Sequence, residues 1–224
     1  MVNTLVTNYP RFVVVEYHQQ DAYAKPWGEA RGEFYNIWAL GIPWFAYDGL
    51  WDAWPIDTYE TKLQQRLTVP TDVTLELSGA ELAADTWEFT AEVCVEAGGI
   101  DKTMRIYMVQ ALDKYPPAYS YSRNTFQQAA ATEDVTVAAG ACVEVVRDFT
   151  FDALSMASPD DIRVMAWAQQ PLDGIPAEVH QAAQLAWPFV EVAFADGFES
   201  GDLGVVGNGA LRPGDWTMNG EQLS

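Results

Sequence analysis

The apolar positions of this chain change period partway along, and the change divides it. At the start Val2, Leu5 and Val6 fall at helical spacing and stop at Asn8-Tyr9-Pro10. Met1 to Thr7 therefore reads as the last turns of a helix that begins further upstream. The run Phe12-Val13-Val14-Val15 has no alternation, as in a strand buried on both faces, and a strand is predicted over Phe12 to Tyr17. Pro26 suits the first position of a helix whose apolar face is Ala30, Phe34 and Ile37, although Gly28 and Gly32 weaken it. After Gly41-Ile42-Pro43 come two aromatic-rich runs joined at Asp48-Gly49, a hairpin-turn dipeptide. A further helix starts near Asp57, where Asp57-x-x-Glu60 has the form of a capping box. Tyr59, Leu63 and Leu67 line its buried side, and Pro70 closes it.

From Thr71 the period becomes two. Val73, Leu75 and Leu77 alternate with polar residues, and so do Trp87, Phe89, Ala91, Val93 and Val95. Further strand-like runs are Thr103 to Leu112, Asp134 to Ala138, Ala141 to Phe151 and Asp161 to Gln169. Ala177 to Trp187 reads as a short helix and Phe189 to Phe194 as a last strand. Beyond Asp196 the chain is Gly-rich and acidic, with no core pattern. The predicted class is α+β. Residues 1–70 have the order of half a thioredoxin-like α/β domain, 71–195 form an antiparallel immunoglobulin-like β-sandwich, and 196–224 are a tail dispensable for folding.

Composition narrows the function classes. Lys and Arg number 12 against 32 Asp and Glu, a net charge of −20. Such a surface repels phosphate backbones and anionic lipid, which argues against nucleic-acid and membrane-surface partners. No apolar run has the length of a transmembrane span.

The candidate chemistry is sparse. Cys94 and Cys142 lie forty-eight positions apart, so they form neither a Cys-x-x-Cys dithiol nor a metal-ligand spacing. Both fall on the polar face of their strands, with Glu92, Glu96, Glu144 and Asp148. A structural disulfide is favoured there over two free thiols. His18 ends the first predicted strand, but no nucleophile stands beside it and His180 is the other histidine. It reads as an ordinary half-exposed residue, and a metal site through His18 and Asp21 lacks further ligands. No cofactor and no metal are expected. Trp27, Trp38, Trp44, Trp51 and Trp54 crowd into twenty-eight positions. Core filling accounts for most of them, while Trp44, Trp51 and Trp54 with Asp48 and Asp52 form a possible binding patch on the hairpin for protein or carbohydrate. Asp196, Glu199 and Asp202 are oxygen-rich, but their spacing does not match an EF-hand loop.

The stretches GIPWFAYDG, DTYETKLQQRLTVPTDVTLELSG, IYMVQALDKY and IRVMAWAQQP, in that order, resemble the twenty-eight-kilodalton outer-membrane protein family. The resemblance covers roughly Val2 to Ala186, and FADGFESGDLG is similar to a tail found in many secreted bacterial proteins. It implies a thioredoxin-like domain followed by a β-sandwich, and a secreted, extracellular or outer-membrane-associated location. It places a cis proline at Pro43, against a dithiol that this chain does not supply. Three functions are open. The first is a non-catalytic binding or assembly protein, whose partner or second copy pairs with the edge of Phe12–Tyr17. The second is the C-terminal part of a thiol-disulfide oxidoreductase whose Cys-x-x-Cys lies upstream of Met1. The third is a carbohydrate-binding module.

Overall fold

The computed structural model describes residues 2–36, 45–53, 58–118, 122–189, 193–197 and 202–206, with the backbone alone at 51–53, 193–197 and 202–206. About 19% is helix and 42% strand, so the chain is α+β with strand dominant. Two compact units divide it, Met1–Pro188 and Phe189–Ser224.

The first unit opens with α1 (Val2–Asn8) and α2 (Pro26–Phe34). Pro26 stands where a helix has no use for a backbone N–H, as the sequence predicts. The hairpin β1 (Phe45–Tyr47) and β2 (Trp51–Ala53) turns through Asp48 and Gly49, both in the left-handed region at φ 48° and 67°. Helix α3 (Tyr59–Leu67) follows. Leu5, Tyr47, Tyr59 and Leu63 make a small core, with Tyr9, Phe12 and Phe45 packed against it. Leu67, expected on the buried side, is 58% exposed, because it is the last residue of α3 and the chain turns away there. Thr58 precedes the helix without a side-chain capping bond, and Asp57 lies outside the described residues.

The strands are β3 (Val73–Ala83), β4 (Thr86–Val95), β5 (Lys102–Leu112), β6 (Thr125–Ala129), β7 (Glu133–Val137) and β8 (Cys142–Thr150). After the short α4 (Ala153–Met156) come β9 (Ile162–Gln169) and β10 (Val179–Ala186). One antiparallel sheet has the order β3-β4-β8; the other runs β10-β9-β5-β6, with β7 also on β5. Strands β3 and β4 keep the predicted alternation, burying Val73, Leu75, Leu77, Trp87, Phe89, Ala91, Val93 and Val95. Strands β5 and β9 are buried almost continuously, since both faces of their sheet are covered. One face presents Tyr107, Val109, Ala111, Met165 and Trp167 to Val13, Val15, Tyr17 and Trp27. The alternate residues Ile106, Met108, Val164 and Ala166 are equally buried on the side of the three-stranded sheet.

Four expectations are corrected. Phe12–Tyr17 is extended but forms a single parallel bridge, Glu16 with Thr125, rather than a strand inside a sheet. The Glu16 N–H donates to the Asn124 carbonyl at 3.0 Å, the Phe126 N–H to the Glu16 carbonyl at 2.9 Å, and Asn124 Nδ2 to the Val14 carbonyl at 3.0 Å. The apolar run thus lies along β6 and lays every second side chain on the sheet, and it is half-buried apart from Val14. Ala177–Trp187 contains β10 instead of a helix. Pairing with β9, from Gln181↔Ala168 to Ala186↔Arg163, overrides the helical preference of Ala-Ala-Gln-Leu-Ala. The polar stretch Thr125–Ala129 is a strand that the apolar pattern does not announce. Its Gln128 Nε2 donates to Gln110 Oε1 at 2.8 Å and to the Thr150 carbonyl at 3.0 Å. In the second unit β11 (Ala193–Gly197) pairs with β12 (Asp202–Val206), where an unpatterned tail was expected. The last predicted strand, Phe189–Phe194, overlaps β11 only at Ala193 and Phe194, and residues 190–192 are outside the described set.

One buried side chain joins the layers of the first unit. Arg31 on α2 is 5% exposed, with its guanidinium 4.0 Å from the ring centroid of Phe34 and 4.8 Å from those of Tyr35 and Tyr107. Trp27 and Trp167 complete the cage at 5.8 and 5.9 Å. Two of its hydrogen-bond partners are neutral: Nη2 donates to Tyr35 Oη at 2.7 Å and to Gln169 Oε1 at 3.1 Å. Gln169 is fully buried; its Oε1 also accepts from Trp167 Nε1 at 3.3 Å, and its Nε2 donates to the Ala177 carbonyl at 2.8 Å. The Ala177 N–H donates to the Gly49 carbonyl at 3.0 Å and the Val179 N–H to the Asp48 carbonyl at 2.8 Å. Helix, sheet and hairpin turn therefore meet at Gln169.

Two substitutions test this junction. A Cβ on Gly49 would stand 1.9 Å from the Ala177 carbonyl oxygen at a φ of +67°. Gly49→Ala is expected to cost about 2–4 kcal/mol in urea unfolding. At Arg31 the comparison of two variants is more telling than either alone. Arg31→Lys keeps a buried charge but makes it a compact, strongly hydrated ammonium, whereas Arg31→Met removes the charge and fills similar space. Arg31→Lys should be the less stable of the two by at least about 1 kcal/mol; equal stabilities would mean that the charge itself is immaterial.

Candidate functional site

A groove of about 660 Å³ lies where the chain passes from α3 to β3. Its walls come from the end of α3, the turn at Asp48, the linker 68–72, the start of β5 and the start of β10. The floor is ionic. Arg66 Nε bonds Asp48 Oδ2 at 2.8 Å and Arg66 Nη2 bonds Glu178 Oε1 at 3.2 Å. Lys102 Nζ bonds Asp72 Oδ2 at 2.6 Å. Both cations are well covered, with the Arg66 side chain 9% and the Lys102 side chain 14% exposed. The Lys102 ammonium, helped by the Ile100 N–H, holds the Asp72 carboxyl below its ordinary range. Burial lowers the His180 imidazole. The rim is aliphatic and open: Leu67, Val69 and Ile100 are 58%, 42% and 70% exposed.

Both groove cations are paired, Arg66 with Asp48 and Glu178 and Lys102 with Asp72. Exposed aliphatic side chains thus stand beside fixed, oriented charges. Among the described residues no helix is long and apolar enough to cross a membrane.

The residues singled out from the sequence are distributed differently. Asp48 belongs to the groove through its pair with Arg66. Trp51 and Asp52 lie in β2, with their side chains outside the described set, and Trp44 and Trp54 are outside it altogether. Pro43 is outside it too; among the described residues cis peptide bonds precede Pro116, Pro176 and Pro188. Arg66, Asp72, Lys102, Glu178 and His180 were not anticipated. Their only signal was scarcity, since cations are few in this chain and two of the twelve converge here.

Cys94 and Cys142 are directly opposite on β4 and β8 and are joined in a disulfide across the polar face. Glu92 stands close to both sulfurs, but sulfurs bonded to each other offer no thiolate to a metal or to an exchange partner. The next row of that face sets Glu76, Glu92 and Glu144 side by side across three strands, and Glu88 opposes Asp148. Like charges directly opposite weaken strand pairing. His18 is less exposed than expected, its side chain being 9% accessible.

No family model matches this chain, and no curated protein does. Among solved structures the chain is similar to HBP35 of Porphyromonas gingivalis, at a TM-score of 0.59 and 16% identity, over 86% of this chain and 72% of that one. That likeness is one of fold. A domain of the outer membrane lipoprotein Omp28 from Porphyromonas gingivalis aligns at a TM-score of 0.41 and 12% identity, over 63% of this chain and 96% of that one. A β-glucosidase from Kluyveromyces marxianus aligns at 0.31 and 12% identity, over 57% of this chain and 16% of that one.

The disulfide closes a loop of forty-eight positions, and in the chain-entropy account such a loop contributes about 4 kcal/mol. The double variant Cys94→Ser, Cys142→Ser should lose stability of that order in urea unfolding. It should then gain stability as added salt screens the row Glu76, Glu92 and Glu144.

Proposed function

We propose that this chain is a secreted or cell-surface, non-catalytic binding or assembly protein, and that the groove beside Asp48, Arg66 and Lys102 takes an extended segment of a protein partner. The observation that carries the reading is the pairing of an exposed aliphatic rim with a floor of mutually locked charges. A rim of Leu67, Val69 and Ile100 has no role in the core, and burying it on binding releases ordered water at roughly 25 cal/mol per Å². Both cysteines are committed to one disulfide, which favours an oxidising compartment and an extracellular or outer-membrane-associated location over thiol chemistry. The likeness to HBP35 supports the architecture. Within it, residues 1–70 are taken as a partial thioredoxin-like module and the paired sheets after residue 71 as immunoglobulin-like.

A random twelve-residue peptide library panned on the purified chain tests the reading. Enriched peptides should bind the double variant Leu67→Glu, Ile100→Glu at least tenfold more weakly. Both positions are exposed, so the variant keeps its core. Peptides that bind wild type and variant alike would place recognition elsewhere.

A further inference from the structure

Far from the groove residues, the first extended segment ends in a cluster of acid and imidazole groups. On an extended backbone residues i and i+2 project to the same side, so Glu16 and His18 are neighbours. The chain then bends at Gln20, φ 55°, and brings Asp21 back to the ring. His18 Nδ1 lies 2.6 Å from Asp21 Oδ2, and Asp21 Oδ1 accepts the Tyr23 N–H at 2.8 Å. Tyr23 also packs edge-on against the imidazole, with centroids 5.4 Å apart. The ring is thereby fixed in place, and its side chain is only 9% exposed.

In the neutral imidazole, a proton on Nδ1 donated to Asp21 leaves Nε2 with a lone pair. That nitrogen is buried and has no hydrogen-bond partner among the described residues. It faces Glu16 Oε1 at 3.8 Å, beyond hydrogen-bond reach. The other carboxylate oxygen, Oε2, accepts the Arg123 N–H at 2.9 Å, while Ser122 Oγ stands 3.5 Å from Oε1. The Arg123 guanidinium does not neutralise Glu16, because it is turned to Asp113, with Nη2–Oδ2 at 3.0 Å. Burial raises the Glu16 carboxyl above its ordinary range.

We propose that His18 Nε2 and Glu16 Oε1 form a binding site for a divalent cation of the zinc class, with Asp21 orienting the imidazole. Zinc–nitrogen and zinc–carboxylate bonds are each about 2.0–2.2 Å, so one ion touches both donors when they lie within about 4.2 Å of each other. The 3.8 Å separation meets that limit. A mixed imidazole and carboxylate set favours zinc or a neighbouring transition metal over calcium or magnesium. A carboxylate on the far nitrogen of a metal-binding histidine fixes the tautomer and strengthens the ligand, which is the place Asp21 occupies. Two carboxylates beside the imidazole supply the charge that a dication needs. The Glu16 side chain is 33% exposed, which gives the ion and its water ligands an approach from solvent.

Isothermal titration of the full chain with zinc chloride tests the proposal. Wild type should show one site, and His180→Ala should match it. His18→Ala should weaken binding roughly 100-fold or abolish it, and Asp21→Asn should weaken it about 10–100-fold through the orienting contact. Glu16→Gln, which keeps its shape and the acceptor for the Arg123 N–H, should cost at least tenfold and decides the matter if His18→Ala fails to fold. The proposal is overturned if wild type takes up no zinc, if Glu16→Gln binds as wild type does, or if His180→Ala rather than His18→Ala loses the site.

Discussion

The first unit depends on a positive charge held inside an aromatic cage. Water is an excellent solvent for a guanidinium, and removing Arg31 from it costs several kcal/mol before any compensation. The compensation comes from ring faces, a tyrosine hydroxyl and the Gln169 amide, each a partial charge fixed by packing. Because the donors of the guanidinium lie in a rigid plane, the cage has little freedom to distort, and α2 is held to β5 and β9 in one register. Gln169 then passes the constraint on through its other end to Ala177 and so to the hairpin turn. The turn needs a residue without a Cβ at its closest approach, and Gly49 provides that. Sheet, helix and hairpin are therefore positioned by one short series of polar contacts, and the groove inherits its shape, since Asp48 stands in that same turn.

The sheets manage their edges with charge. Among the described residues strand β8 pairs with β4 alone, which leaves its other side a template for a further strand. Arg147 folds over that side, donating to the Ala131 and Val146 carbonyls and pairing with Glu133 at 2.8 Å. The outer face of the same sheet carries the opposed carboxylates of Glu76, Glu92, Glu144, Glu88 and Asp148. These weaken the sheet locally, yet they also make face-to-face stacking of two copies unfavourable. The edge at β6 is handled otherwise, by the chain's own residues around Glu16.

How much of this was legible in the sequence depended on whether the signal was local. Period two in Val73–Leu77 and Trp87–Val95 reports a sheet with one wet face, and those strands stand as read. The turn at Asp48-Gly49 needs only two residues to specify it. Cys94 and Cys142 could be placed on the polar face because each strand was correctly phased. The failures share a cause. Val179–Ala186 is a strand only because β9 offers it a partner, and Phe12–Tyr17 lies against β6, a strand too polar to be read as one. The groove was invisible because its contacts join positions 30 and 112 apart in the chain, for Lys102 with Asp72 and Arg66 with Glu178. His18 looked ordinary because the bend that returns Asp21 to it carries no apolar pattern at all.

The bond between Cys94 and Cys142 also changes what a cut would do to this protein. The covalent ring it closes contains β5 together with β6 and β7, which pair along one side of it, while β9 pairs with the other side of β5 from outside the ring and β10 follows on β9. A single hydrolysed peptide bond anywhere between the two cysteines leaves the flanking pieces tied through sulfur, with β5 still gripped by β9. In surroundings rich in peptidases, a nick in the exposed turns of that segment would therefore open the ring without shedding a fragment. Only a second cut inside the ring, or loss of the sulfur link together with the first, releases a piece.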